Sequence, residues 1–157
     1  MHEWHFTKPT SASGYLEAMT RIIFAAGINW HVVGAKWDGI RDAFAGFDVE
    51  KVANMSLADI DRLAADPRII RNRRKIEAII DNAAKISELD EEFGGFDKYL
   101  RSHEDYQKMA SALKRDFRFM GDSTTYFFLA MVGEAVPDWE QHAGKTAGPH
   151  VGAKAGT

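Results

Sequence analysis

Apolar residues along the chain recur at helical spacing. Tyr15, Leu16, Met19, Ile22, Ile23 and Ala26 form one stripe, as a repeat of 3.6 residues requires. Ser13 ahead of the stripe and Gly27 behind it read as a helix cap and a stop. A second helix is predicted from Trp30 to Phe44, and Asp48 stands where it would cap a short helix over Val49-Glu50-Lys51-Val52. Ser56 and Asp59 have the spacing of a capping box that opens a helix over Leu57–Ala65. Asp66-Pro67 breaks it. A longer helix is then expected from Ile69 through Leu89, its stripe being Ile69, Ile70, Ile76, Ile79, Ile80, Ala83 and Ile86, with Gly94-Gly95 as its end. Phe96–Leu100, Tyr106–Arg115 and Thr124–Val132 complete the set, the last closed at Gly133.

No segment sustains a period of two and no Asn-Gly hairpin signal occurs, so the pattern predicts an all-α, multi-helix domain. Residues 1–13 read as an irregular lead-in containing Trp4 and Phe6. From Ala143 the chain is mostly Gly, Ala, Lys and Thr, too poor in apolar area to order itself. The expected organisation is a helical domain over residues 1–142 and a flexible tail over 143–157. No internal repeat is present.

With 157 residues the chain has one domain's worth of core, and 45% hydrophobic against 27% charged residues exclude a disordered chain. The apolar runs are too short to span a bilayer, and no secretory leader opens the chain. The absence of cysteine excludes disulfides and thiolate metal sites and fits a cytoplasmic protein. Net charge is −3, which by itself argues against a nucleic-acid partner. Distribution changes that picture, because phosphates are met by local patches. Arg68, Arg71, Arg73, Arg74 and Lys75 crowd into one segment, and Lys114, Arg115 and Arg118 into another. Two solvated helix faces would give the same pattern.

Three stretches carry a resemblance. They are Ala26-Gly27-Ile28-Asn29-Trp30; Phe44 to Ile80, especially Ile69-Ile70-Arg71-Asn72-Arg73-Arg74-Lys75-Ile76; and Ala112-Leu113-Lys114-Arg115 followed by Phe117-Arg118-Phe119-Met120-Gly121, Tyr126 and Phe128. In order and spacing, from about Trp4 to Asp138, the chain resembles the DNA-3-methyladenine glycosylase I family of the helix-hairpin-helix glycosylase superfamily. The resemblance implies an all-α glycosylase-like domain with a helix-hairpin-helix element. It implies hydrolysis of the N-glycosidic bond of an alkylated purine such as 3-methyladenine, after the base is flipped from duplex DNA. It also implies action on double-stranded DNA with a damaged base. For this chain the expectation is a monomer in the cytoplasm, with no membrane partner and no cofactor.

Site residues follow from the same resemblance. Ile28 would fill the gap in the duplex. Trp30, helped by Trp4, would stack on the flipped base, since an indole face attracts a cationic purine. Phe119-Met120-Gly121-Asp122-Ser123 would be the hairpin, with Gly121 and Ser123 at the DNA backbone and Gly121 supplying close approach or a positive φ. Arg71, Arg73, Lys75 and Lys114 would meet phosphates. Asp138, in Val136-Pro137-Asp138, would stabilise charge developing on the sugar or activate water. Core packing would account equally for Trp30 and Trp4, a helix–turn–helix corner for the hairpin, and a helix cap for Asp138.

The chain also departs from the family. Ile22 stands eight residues before Trp30, where the family has a base-reading glutamate. Glu17 lies earlier on the same helix and is expected to point elsewhere. The family's zinc site of two Cys and two His lacks its cysteines, and Trp139 falls at the expected C-terminal His. His2, His5 and His142 remain, without a metal-binding motif. A non-catalytic damage-sensing module on the same scaffold is therefore the alternative reading, and a helical domain repurposed for a protein or small ligand is a third.

Overall fold

A computed structural model describes residues 8–26, 28–140 and 142. Trp4, Gly27, His2, His5 and the expected tail lie outside them. Eight helices occur among the described residues: α1 Ala12–Ala25, α2 Trp30–Ala43, α3 Val49–Ala53, α4 Leu57–Ala64, α5 Arg73–Phe93, α6 Phe96–Arg101, α7 Tyr106–Asp116 and α8 Asp122–Met131. No strand occurs among these residues, as the hydrophobic spacing predicts.

Most boundaries follow from local chemistry. Asp48 caps α3 by accepting from the Glu50 and Lys51 amides, and Ser56 and Asp59 form the expected capping box on α4. Gly94, at φ 74°, closes α5 in the left-handed conformation that favours glycine. Two expectations need correction. Ser11, not Ser13, caps α1, accepting from the Gly14 amide at 3.2 Å. Ser13 Oγ instead accepts from the Val49 amide at 2.9 Å and ties α1 to the start of α3. The long helix begins at Arg73 rather than Ile69, with Asn72 as its cap. Ile69 is buried from the preceding loop, so it adds to the apolar stripe without belonging to the helix.

The 21-residue α5 is the central strut. It packs on α1, α3, α4 and α6, while α1 also meets α2 and α8, and α7 lies against α8. Ile76, Ile79, Ala83 and Ile86 of α5 are fully buried against a core that includes Leu16, Met19 and Phe24 of α1. A tight turn over Ala45–Phe47 follows α2. Ala45, Gly46 and Phe47 there have φ of 56°, 67° and 60°. For two non-glycine residues this is strained backbone, held by the stack of Trp37 on Phe47 and Phe47 on Phe44 at 5.4 and 5.6 Å. The core thus fixes α1, α2 and α5 against one another, and the candidate site sits where their ends meet.

Candidate functional site

The first turn of α5 meets the loop joining α1 to α2. Lys75, expected on the DNA backbone, points inward instead: only 8% of it is exposed. Its ammonium donates to the carbonyl oxygens of Ile23 and Ala26, both at 2.8 Å. Those are carbonyls at the C-terminal end of α1, where a cation is favoured by unpaired acceptors and by the helix dipole. Burial pushes the ammonium below its ordinary pKa. A phosphate could reach this group only by displacing those bonds, so Lys75 is removed from the set of backbone contacts.

The loop that Lys75 holds presents the expected wedge. Ile28 is 41% exposed, and its amide donates to the Ala25 carbonyl at 3.0 Å. Asn29 caps α2 by accepting from the Val32 amide at 2.8 Å. Trp30 is the first residue of α2, half-buried and packed against the core.

A second loop, residues 117–121, joins α7 to α8 and also hangs on α5. Asn82 is 1% exposed, and its side-chain amide makes a reciprocal pair with Arg118. Asn82 Nδ2 donates to the Arg118 carbonyl at 3.0 Å, and the Arg118 amide donates to Asn82 Oδ1 at 2.9 Å. Phe119 follows at φ 62°, 39% exposed, with the Arg74 guanidinium 6.0 Å from its ring centre. The positive φ expected at Gly121 therefore falls on Phe119, while Gly121 is extended at φ −87° and ψ −167°. A Cβ at Gly121 would meet nothing within 4 Å, so the fold itself does not require glycine there. No side chain caps α8, whereas α1, α2, α3, α4, α5 and α7 are all side-chain capped. Ser123 is exposed in this uncapped first turn.

Around these loops several cations are engaged by carboxylates. Arg73 pairs with Asp61 at 2.8 Å and Glu77 at 3.4 Å, Lys114 with Asp122 at 2.5 Å, and Arg118 with Asp81 at 2.7 Å. Exposed pairs of this kind contribute little to stability, so a phosphate can exchange for the carboxylate at small cost. Arg71 and Arg74 form no ion pair with a carboxylate among the described residues.

Asp138 is exposed and belongs to a different neighbourhood, reached through α8. The Tyr126 hydroxyl donates to the Pro137 carbonyl at 2.7 Å, and the Tyr126 ring stacks on His142 at 4.8 Å and lies 4.9 Å from Trp139. Burial, and then the charge of Asp138, pushes the Tyr126 phenol up. The Asp138 carbonyl accepts from the His142 amide at 2.9 Å, the backbone pattern of a helix start.

The chain matches known proteins over most of its length. The methyladenine glycosylase family model matches residues 2–115. The chain belongs to that family. The DNA-3-methyladenine glycosylase 1 of Escherichia coli is 32% identical over 129 residues, covering 69% of each chain. The DNA-3-methyladenine glycosylase of Haemophilus influenzae is 31% identical, covering 69% of this chain and 70% of its own. Among solved structures, the 3-methyladenine DNA glycosylase I of Staphylococcus aureus superposes with a TM-score of 0.73 at 27% identity, covering 84% of this chain and 81% of that one.

Ile22, where the resemblance led a base-reading glutamate to be expected, is buried in the core and 5% exposed. Glu17 does not replace it: its carboxylate accepts from Trp37 Nε1 at 2.8 Å and pairs with Arg41 at 3.4 Å, as its place on α1 predicts. The chain has no cysteine, and among the described residues no three His, Cys, Asp or Glu stand together. Two working contacts escaped the sequence reading, the Asn82–Arg118 pair and the inward Lys75. A signal existed for Asn82, a polar residue on the stripe that also carries Ile79, Ala83 and Ile86.

Proposed function

We propose that the chain is a base-excision-repair DNA glycosylase that flips an alkylated purine out of duplex DNA and hydrolyses its N-glycosidic bond. The observation that carries this reading is the attachment of two loops to one end of α5. Lys75 bonds the Ile23 and Ala26 carbonyls at the end of α1, just before Ile28, and Phe119 lies beside Arg74. That attachment supports a reading in which a wedge, an aromatic stacking surface and a backbone-binding connection act together from one rigid helix, as base flipping requires. In this reading Ile28 enters the gap and Trp30 stacks on the cationic purine. The connection and the open N-terminus of α8 approach a phosphate through Gly121 and Ser123, with Arg71, Arg73, Arg74 and Lys114 around it. Asp138 faces the sugar as positive charge develops at its anomeric carbon. Because Ile22 can neither donate nor accept, discrimination rests on stacking and on the intrinsic lability of the alkylated base.

The burial of Ile22 in the core favours one competing reading, a damage sensor without turnover. Release of 3-methyladenine from alkylated duplex under single-turnover conditions decides between them. Trp30→Ala is expected to slow release by about 5- to 150-fold, the value of one base–aromatic stack of about 1–3 kcal/mol. Asp138→Asn is expected to slow it about 100-fold or more, as for other preorganised electrostatic groups. Salt-dependent binding to abasic duplex with no base released at high enzyme concentration overturns catalysis and supports the sensor.

A further inference from the structure

Lys75 and Asn82 are seven residues apart on α5, two turns along the same face. Both are buried, at 8% and 1% exposure, on a stripe otherwise filled by Ile76, Ile79, Ala83 and Ile86. Among the described residues, neither side chain forms an ion pair or bonds to another side chain. Lys75 instead bonds the carbonyls of Ile23 and Ala26, where α1 runs into the wedge loop. Asn82 bonds both the carbonyl and the amide of Arg118, just before the strained Phe119. Packing alone would be served as well by Leu or Met, without the desolvation that a buried ammonium and a buried amide require. What the polar groups add is direction, because a hydrogen bond fixes the position of a loop backbone that apolar contact leaves free to slide.

We infer that Lys75 and Asn82 are positioning residues, through which α5 sets the separation between the wedge loop carrying Ile28 and the 117–121 connection. Lys75 governs the first loop and Asn82 the second. The functional half of this inference rests on the glycosylase reading; the mechanical half does not. The separation matters because the wedge and the backbone-binding connection must engage one duplex together, and a shift of about 1 Å in such a constellation is costly.

Hydrogen exchange on the full chain tests the mechanical half. Lys75→Met is expected to quicken exchange about tenfold in the segment 24–30, where the Ala26 and Ile28 amides bond Ile22 and Ala25, while 117–121 stays at its wild-type rate. Asn82→Leu should do the reverse. Ile86→Val, a trimmed residue on the same stripe, serves as the control for general loosening of α5. Lys75→Arg and Asn82→Asp retain part of the bonding, and each should recover part of the protection; they also serve if the apolar variants do not fold. Equal acceleration of both loops in either variant, or none in either, overturns the proposal.

Function is then read on duplex DNA bearing a tetrahydrofuran abasic analogue and on alkylated duplex. Lys75→Met should lower the maximal single-turnover release rate about tenfold while the half-saturating concentration moves less than about threefold. Asn82→Leu should instead weaken abasic-duplex binding about tenfold and leave the saturated rate nearly intact. If both variants lose rate and affinity in the same proportion, the assignment of one loop to each residue fails. If the wild type releases no base, the glycosylase reading falls, while exchange and abasic-duplex affinity still decide the positioning roles.

Discussion

Ile22, which the resemblance sets where a glutamate was expected, is packed into the core with Leu16, Met19 and Ile23 of the same helix. A glutamate there has a structural cost. Ile22→Glu is expected to lower the unfolding free energy by about 2–5 kcal/mol, from a buried carboxyl without an evident partner. Burial raises a carboxyl's pKa, so the variant should be nearest to wild type when that group is protonated. The loss should widen as pH rises from about 5 to about 8, read as urea midpoints at each pH. A midpoint unchanged at all pH values would mean that this side chain reaches solvent. At this scale the sequence was informative where chemistry is local. The poor placement of Glu17 was readable from helical spacing, whereas Ile22 and Ile28 were singled out only by the resemblance. Lys75 was misread because a basic residue in a basic run looks the same whether its ammonium faces water or the end of another helix.

At the scale of the element, start and stop signals identified most helices because each is satisfied within four residues of its own cap. Ser56, Asp59, Asp48 and Gly94 are examples. Periodicity failed at the start of α5, since Ile69 is buried from a loop and continues the stripe. The most informative element end is the uncapped start of α8. Gly121 lies in extended backbone that any residue adopts, with open space where a Cβ would be. Gly121→Ala should therefore leave the thermal midpoint unchanged or raise it slightly, through a loss of unfolded-state entropy worth about 0.4–1 kcal/mol. If a phosphate approaches the α8 N-terminus, the same variant should weaken duplex binding, measured by anisotropy. Wild-type affinity in the variant would remove the phosphate from that position.

For the whole molecule, the net charge of −3 conceals a polar distribution along α5. Its first turn carries Arg73, Arg74 and Lys75, and its final turns carry Glu88, Asp90, Glu91 and Glu92. This order opposes the helix dipole, which favours acids at the N-terminus and bases at the C-terminus. An external anion near the α5 N-terminus would relieve the mismatch, consistent with the basic loops described there. Charge also sets the acid limit of the fold. Asp59 is held below its ordinary pKa by the Ser56 amide and by Arg62, Asp66 by Arg68, and Asp116 by Arg115. A carboxylate with a depressed folded pKa contributes stability that is complete above its unfolded value and is lost as pH falls through the folded one. The thermal midpoint should thus be flat from about pH 7 to about pH 5 and fall below about pH 4. Asp116→Asn should show a shallower fall, and a midpoint declining already between pH 7 and 5 would contradict this assignment.

The sequence by itself determined what depends on neighbours along the chain: the helices, most of their caps and the all-α class. Each is decided within a turn or two by hydrogen bonds and apolar spacing. Tertiary structure alone decided which way the charged and polar residues of α5 face, because burial and partner are properties of the packed core. It turned Lys75 from a phosphate contact into a brace for the wedge loop, and it gave Asn82 the backbone of Arg118 to hold. It also moved the strained residue of the connection from Gly121 to Phe119, since the docking of the loop on α5 sets its backbone angles.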